Sequence, residues 1–519
     1  MRKRRIRNAA VIGVLAAIIA AAVTLPACSG KRSSAGRPAQ TDGGGVPASG
    51  GERVEGGEIR FGYTTEPATL DPLNASNTAD GRSILFNVFE GLVKPDTSGG
   101  LEPALAESYA VEQDGLVYVF TLRRGVKFHD GSEVSPEDVE FSLKTAMETQ
   151  FAGLDRIEAV EITGDGKVRI VLKSPDVEYL TNLTVGIVPR NNAGRERRAI
   201  GTGPFIIESY APQQSLVLVK NPHYWKKGLP HLDKVTYVFT ADSDALLLAL
   251  QGGAVDAGTI TGSLLEQLNP NAFTFVPDPS NSVQLLALNN AIPPLDDVRV
   301  RLALNYAVDR QEIIDAAFYG HGEPSGSALI PGLSRYYEPS LKNPYPTDIA
   351  RAKSLLADAG YEQGFPLEIT VPSNYTMHVD TAQVIVNQLA KIGIAATIKL
   401  VDWPAWLSGV YQGRRYEATV ISVDSPTISP RGFLARYHSA DRSNFVNFSS
   451  PAYDRVYDAV LTETGEQERI ALYKEAQRIL SGEAASVYIQ DITGFRAFPK
   501  NSGGFVRYPL YVVDFAPVY

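Results

Sequence analysis

From Glu58 onward the chain switches between two hydrophobic periods. Ile59, Phe61 and Tyr63 alternate with Glu58, Arg60 and Gly62, the period of two that a half-buried strand requires. Tyr118, Phe120 and Leu122 repeat that pattern. His129-Asp130-Gly131 reads as a turn. Ser135-Pro136-Glu137-Asp138 combines a capping hydroxyl, a first-turn proline and two acids, so a helix is expected to open there. Asp297 precedes a helical run through Ala303, Tyr306, Ala307, Ile313, Ile314 and Ala317, with Gly320 as its stop.

The stretch 348–424 is the most legible. Asp348 starts a short helix that ends at Gly360, and Leu367–Val371 reads as a strand. Val379–Ile392 reads as a helix stopped by Gly393; Ile394, Ala396, Ile398 and Leu400 then alternate as a strand. Trp403–Gln412 can be helical, and Ala418–Val423 is nearly all apolar, as a strand covered on both faces would be. Strands alternating with helices predict a parallel sheet. In such sheets ligands bind beyond the carboxyl ends of strands, where Ser373, Asn374 and Asp424 fall.

The N-terminus follows other rules. A basic stretch, Met1–Arg7, precedes an apolar run from Ala9 to Val23, too short for a comfortable membrane span, which reads as a signal peptide over 1–27. It ends in Leu25-Pro26-Ala27-Cys28, which resembles the bacterial lipobox, and Cys28 is the single cysteine of the chain. Diacylation of Cys28 would anchor the protein stably to a membrane. Arg4-Arg5 lacks the rest of a twin-arginine pattern, so general secretion is expected. Residues 28–56 are rich in Gly, Ser, Pro and Ala and read as a flexible tether.

Length and charge narrow the picture further. At 519 residues the chain is large for one core, so at least two lobes are expected. Removing the five cations of the first 27 residues takes the formal charge from -9 to -14. An acidic mature protein argues against nucleic-acid binding. No His-Glu-x-x-His, Gly-x-Ser-x-Gly or phosphate-loop pattern occurs, and the six histidines (129, 223, 231, 321, 378, 438) lack metal-ligand spacing. No catalytic set, metal site or cofactor is therefore expected.

Several segments, in order, carry a family resemblance: Gly57-Glu58-Ile59-Arg60-Phe61-Gly62 with Leu70-Asp71-Pro72, Gly125–Gly131 followed by Pro136-Glu137-Asp138-Val139, Gly201-Thr202-Gly203-Pro204-Phe205, Asn221–Trp225 running on to Pro230–Val235, and Val298–Ala303 leading to Tyr306–Arg310. From about 57 to 490 the chain resembles the oligopeptide, dipeptide and nickel branch of ABC-transporter solute-binding proteins (bacterial extracellular solute-binding protein family 5), in a lipoprotein form. Most of these segments read as structural turns and packing elements.

The resemblance implies an α/β, two-lobed, hinged periplasmic-binding-protein fold (type II, class C-like) with an extra small inserted domain. By analogy the first lobe falls at 57–75, 200–285 and 488–519, the inserted domain at 76–199 and the second lobe at 286–487, with the hinge near Leu285–Asn290 and Val487–Gln490. It also implies a non-enzymatic function: capture of a peptide or peptide-like solute for the permease and ATPase subunits of an importer, by a monomer lipid-anchored on the outer face of the cytoplasmic membrane.

The resemblance carries over site residues only in part. Asp424 matches the aspartate that holds a peptide's ammonium in relatives, although it could instead cap the turn at Ser425-Pro426. Ser422 and Val423 would offer backbone groups to an extended ligand. Glu66 and Ala68 match the opposing segment of the first lobe, and Trp403 matches a pocket-lining aromatic, with a core role the other reading. Asn374 adds a polar group at a strand end; where oligopeptide relatives place an arginine and a histidine to meet the carboxyl end, this chain has Val410 and Tyr411, with Arg414 and Arg415 close by as substitutes. Relatives often read Gly-Trp-x-x-Asp and then Asp-Pro-x-Asn-Phe; here the text is Val420-Ile421-Ser422-Val423-Asp424 and Ser429-Pro430-Arg431-Gly432-Phe433. Specificity for free peptides is therefore open. Metal-chelate, haem or sugar-like ligands remain alternatives, as do an extracytoplasmic enzyme, a sensor or a role in envelope assembly.

Overall fold

The computed structural model describes residues 55–74, 79–151, 153–192, 194–195, 197–425, 427–510 and 512–519. The expected signal peptide, Cys28 and nearly all of the expected tether lie outside the described residues.

Among the described residues, one mixed eleven-stranded sheet forms the frame. Two long strands, Phe273–Leu288 and Ser486–Pro499, cross its middle as an antiparallel pair. On one side the sheet continues through Ala257–Ile260, Glu58–Tyr63, Lys234–Phe239, Ser215–Lys220 and Phe205–Ala211; on the other through Ala418–Asp424, Pro366–Pro372 and Ala395–Val401. The register of the long pair breaks between Pro279 and Val283, and again between Gln284 and Leu285. A separate four-stranded antiparallel sheet is built from Ala106–Glu112, Val117–Leu122, Val168–Leu172 and Ile157–Ile162.

The hydrophobic cores divide along the same line. One cluster gathers Phe61, Phe120, Tyr179, Phe205, Tyr237 and Phe515. Two others, around Trp406, Phe433 and Tyr473 and around Leu304, Ile369 and Ile385, lie beyond the register break. Each half thus has its own apolar interior, as a two-lobed α/β protein requires.

Local expectations meet their structures with three adjustments. The helix at Pro136–Glu148 opens with a reciprocal capping box between Ser135 and Asp138. Asp348 caps Ile349–Asp358 by accepting from Arg351 N at 2.9 Å. Pro366–Pro372 pairs parallel to both Ala395–Val401 and Ala418–Asp424, but the sheet as a whole is mixed because the long strands run antiparallel. The run after Asp297 is two helices, Val298–Ala307 and Arg310–Phe318. It breaks because Val308 is extended and the Asp309 carboxylate accepts from Glu312 N at 3.0 Å, capping a second helix. Trp403–Gln412 is one α-helical turn followed by a π-helical segment, Leu407–Gln412.

The quoted segments meet one another. Gly201 N donates to His129 Nδ1 (3.2 Å), Gly203 N donates to Val88 O (2.9 Å), and Asn221 Nδ2 donates to Gly203 O (2.9 Å). A Cβ at position 201 would stand 2.0 Å from Val88 O, so only glycine fits this close approach. Burial holds the His129 pKa down at about 4. Arg310 is buried with its guanidinium among neutral acceptors, including Tyr488 O (2.7 Å) and Asn305 Oδ1 (3.0 Å). These segments are joints of the fold.

Candidate functional site

A cleft of about 980 Å³ opens between the two halves. One wall is largely apolar, with Phe86, Phe89, Phe151, Leu229 and Val512, and carries Arg82, Lys94 and Lys226. The facing wall is polar, with Asn281, Asp424, Ser429, Arg431 and Arg436. An apolar surface with a few convergent polar groups is the usual form of a small-ligand site.

Most charges in the cleft are answered by the protein itself. Glu90 accepts from Thr202 Oγ1 (3.0 Å), Tyr224 Oη (3.0 Å) and Trp225 Nε1 (2.9 Å). Burial nevertheless raises its pKa, outweighing those donors. Lys94 and Lys226 both lie near Glu102, at 3.1 and 3.4 Å. At the floor, Asp176 has a fully buried side chain between Arg156 and Arg431, the latter at 2.7 Å. Glu178 accepts from Ser429 Oγ (3.0 Å) and Tyr473 Oη (2.6 Å), with Arg469 Nε 3.4 Å away. Burial alone would lower the Arg431 pKa; Asp176 outweighs it and the net shift is upward.

Two charged groups on the polar wall are different. Asp424 ends its strand exposed, and its carboxylate has no hydrogen-bond or ion-pair partner among the described residues. Arg436, on the short helix Ala435–Tyr437, uses only neutral acceptors among the described residues: Gly432 O (3.1 Å), Asp424 O (3.2 Å) and Tyr411 Oη (3.4 Å).

Of the residues singled out from the sequence, Asp424 alone lines this cleft. Ser422 and Val423 lie on its strand; Ser422 Oγ is buried without a hydrogen-bond partner, and Val423 packs into a core. Glu66 spends Oε2 on Tyr210 Oη (3.0 Å) and Gln213 N (2.8 Å), and Ala68 is exposed nearby. Trp403 is 37% exposed and stacks on Trp406, ring centroids 5.0 Å apart. Asn374 is exposed, and Arg414 donates to Asn447 Oδ1 (3.1 Å).

Sequence reading did not single out Glu90, Asp176, Glu178 or Arg436. Their partners lie up to 295 residues away, and no local spacing announces them. Arg431 was visible only as a departure in the 429–433 segment. No group of three or more His, Cys, Asp or Glu among the described residues is arranged to hold a metal ion.

The comparisons place this architecture. The family described as bacterial extracellular solute-binding proteins, family 5, matches residues 100–445, two thirds of the chain. The chain belongs to that family, whose members are solute-binding proteins working with ABC permeases rather than enzymes. It is similar to the glutathione-binding protein GsiB of Salmonella choleraesuis, 30% identical over 84% of this chain and 91% of that protein. It is also similar to heme-binding protein A of Haemophilus influenzae, 27% identical over 95% of this chain and 96% of that protein. Among solved structures it resembles the periplasmic binding protein DppA of Helicobacter pylori in complex with the peptide STSA, with a TM-score of 0.69 at 27% identity, covering 90% of this chain and 98% of that one.

Proposed function

We propose that this chain is the lipid-anchored receptor of an ABC importer, taking up a peptide or peptide-like solute between two lobes and handing it to the permease. The lobes are those read from the sequence: 57–75, 200–285 and 488–519, carrying the insertion 76–199, against 286–487. The hinge is taken to be the register breaks at 279–285, slightly ahead of the stretch read from the sequence.

The observation that carries the proposal is the unpartnered Asp424 carboxylate on one wall of a cleft whose other wall is apolar. A carboxylate enclosed by lobe closure needs a cation, and a ligand ammonium supplies it. Beyond Thr419, moreover, no second strand among the described residues pairs with the outer edge of Ala418–Asp424, which leaves its backbone open to an extended ligand. The solved relative bound to a tetrapeptide supports the same reading. Anchoring rests on Cys28: Cys28→Ser is expected to release the protein from membranes, and fatty acid still attached to the variant would overturn that part.

Calorimetric titration of co-purified ligand, identified by mass spectrometry, tests the ammonium role. Asp424→Asn keeps the shape and removes the charge. It is expected to cost roughly 2–5 kcal/mol of affinity, on the order of 30- to 5,000-fold. Equal binding by the asparagine variant would remove Asp424 from the site. A second reading, a haem-like ligand, is favoured by similarity to a heme-binding protein over 95% of this chain and by the aromatic wall. Recovery of a porphyrin instead of a peptide would select it.

A further inference from the structure

The inserted stretch 76–199 meets the two lobes in different ways. With the first lobe it shares one apolar core: Phe120 and Tyr179 belong to the same cluster as Phe61, Phe205, Tyr237 and Phe515. Parting them would expose that core to water, so the two move as one body. Among the described residues no such cluster spans the inserted stretch and the second lobe; of the stretch, Leu101 alone packs against a second-lobe cluster. The junction there is polar. Asp176 meets Arg431 at 2.7 Å, and Glu178 accepts from Ser429 Oγ (3.0 Å) and Tyr473 Oη (2.6 Å) beside Arg469. Arg469 and Tyr473 stand one turn apart on the helix Glu466–Gly482. The segment is braced from behind, where Asp176 N donates to Gly115 O (3.0 Å) and Glu178 N to Asp176 Oδ1 (3.1 Å).

A second contact is the turn between the paired strands Val93–Pro95 and Leu101–Pro103. Asp96 Oδ1 fixes it by accepting from Ser98 N, Ser98 Oγ and Gly100 N, each at 2.8 Å. Gly99 adopts φ +87°, and a Cβ there would stand 2.8 Å from Leu333 Cδ2. Ser334 Oγ donates to Ser98 O at 3.5 Å. Space lies on both sides of the Glu178 contact. Glu178, Thr181 and Ser429 line the cleft, and they also line a second hollow of about 490 Å³ bounded by Tyr109, Val111, Arg335, Tyr336 and Glu466. Polar groups that part beside such space exchange each other for water, a substitute that an apolar core lacks.

We propose that the inserted domain is a tie. Seated on the first lobe by their shared core, it grips the second lobe at Glu178 and at the Gly99 turn and limits how far the empty cleft opens. This rests on the lobe boundaries of the proposed function and on no assignment of ligand. Every side-chain partner of Glu178 among the described residues lies across the boundary. Asp176 is also paired with Arg156 on its own side, so Glu178 is the residue that isolates the tie. Hydrogen bonds to one charged group hold it. Removing them is expected to shift the ratio of open to tied molecules by roughly ten- to a hundredfold.

The test measures distances between spin labels by pulsed electron resonance, on the full chain carrying Cys28→Ser and stripped of bound solute by unfolding and refolding. One label pair, Glu158→Cys with Ser354→Cys, spans the inserted domain and the second lobe. The other, Glu158→Cys with Ser209→Cys, spans the inserted domain and the first lobe; all three positions are exposed. A thermal melt is recorded for every variant. Glu178→Ala is expected to raise the longer-distance population of the first pair roughly ten- to a hundredfold and to leave the second pair unchanged. Glu178→Gln keeps an acceptor for Ser429 and Tyr473 and is expected to fall between. Arg478→Ala, on the same helix but paired with Glu338 and Glu475 inside the second lobe, is expected to change neither distance. If Glu178→Ala melts early, Glu178→Gln and Tyr473→Phe decide. An unchanged first pair in folded Glu178 variants, or an equal change in Arg478→Ala, overturns the tie. Movement of the second pair instead of the first shows that the lobe boundaries are wrong, and the tie falls with them.

Discussion

The floor of the cleft and its polar wall hold charges in opposite ways. At the floor, Asp176 and Glu178 are buried, and each is met by arginine, hydroxyl or both. On the wall, Asp424 and Arg436 are more accessible and have no charged partner among the described residues. Glu178, Asp424 and Arg436 line the same cleft, and Asp176 lies directly behind its lining arginines Arg156 and Arg431, so burial is what separates the two groups. A buried carboxylate must be satisfied by the protein because water cannot reach it. A carboxylate that lobe closure would bury only later can be left for the ligand to satisfy. The floor therefore holds the molecule together, joining the core around Tyr179 to the core around Phe433 and Tyr473, whereas on the proposed function the wall is the part left to meet a ligand.

The largest effect that would break this comparison is at Asp176. Removing its carboxylate as Asp176→Ala leaves Arg156 and Arg431 facing each other across an uncompensated gap. Losing one member of a buried ionic set costs roughly 3–5 kcal/mol, and the partial exposure of both arginines points to the lower end. Urea denaturation followed by tryptophan fluorescence measures it. Asp424→Asn should leave the same midpoint unmoved. A shift at Asp424 as large as that at Asp176 would erase the distinction between floor and wall.

The next effect concerns pH and sharpens the idea of charges refused by the interior. His378 is buried and His129 half-buried, and desolvation lowers each pKa from 6.5 to about 4. His378 Nδ1 lies 3.1 Å from Gln284 Nε2, which suits a neutral ring accepting a hydrogen bond. Below pH 6.5 the unfolded chain takes up protons that the folded chain refuses. The stability contributed by each neutral ring is thus complete above 6.5 and is lost as pH falls towards 4. The loss is at most about 3 kcal/mol per histidine. Carboxylates titrate in the same window, so the informative quantity is a difference. His378→Gln should show a shallower decline in stability between pH 7 and 4.5 than wild type. Parallel declines would mean that His378 accepts its proton without unfolding.

How much of this was legible follows from the range of each signal. Helix caps such as Ser135 and Asp348, and the alternation at Glu58–Tyr63, are written within a few residues, and the structure forms them in place. The break at Val308 was missed because apolar spacing continues across it; the marker was Asp309, a second cap inside the run. In the cleft, Asp424 was visible as the end of an apolar strand. Arg436 was not, because its significance comes from the Asp424 carbonyl twelve residues earlier and from the absence of a counter-charge. Glu178 depends on Tyr473, 295 residues away, a pairing no local pattern encodes.

The smallest effect separates two kinds of exposed aspartate. Asp348 and Asp424 both end a turn-forming segment, and from sequence both could serve as caps. Asp348 Oδ1 accepts from Arg351 N at 2.9 Å and opens a ten-residue helix. Removing such a cap as Asp348→Ala is expected to cost about 1 kcal/mol. Asp424 makes no such bond, although Ser425 Oγ beside it organises the next turn by donating to Thr427 O at 2.7 Å. With its turn already held by Ser425, Asp424→Ala should change stability by less than about 0.5 kcal/mol, the range of surface substitutions without a structural role. The two variants compared side by side by chemical denaturation, without ligand, give the answer. A loss at Asp424 equal to that at Asp348 would make it a cap after all and remove the reason its carboxylate is free. No loss at Asp424, together with weakened binding, is the pattern expected of a charge that the fold leaves for its ligand.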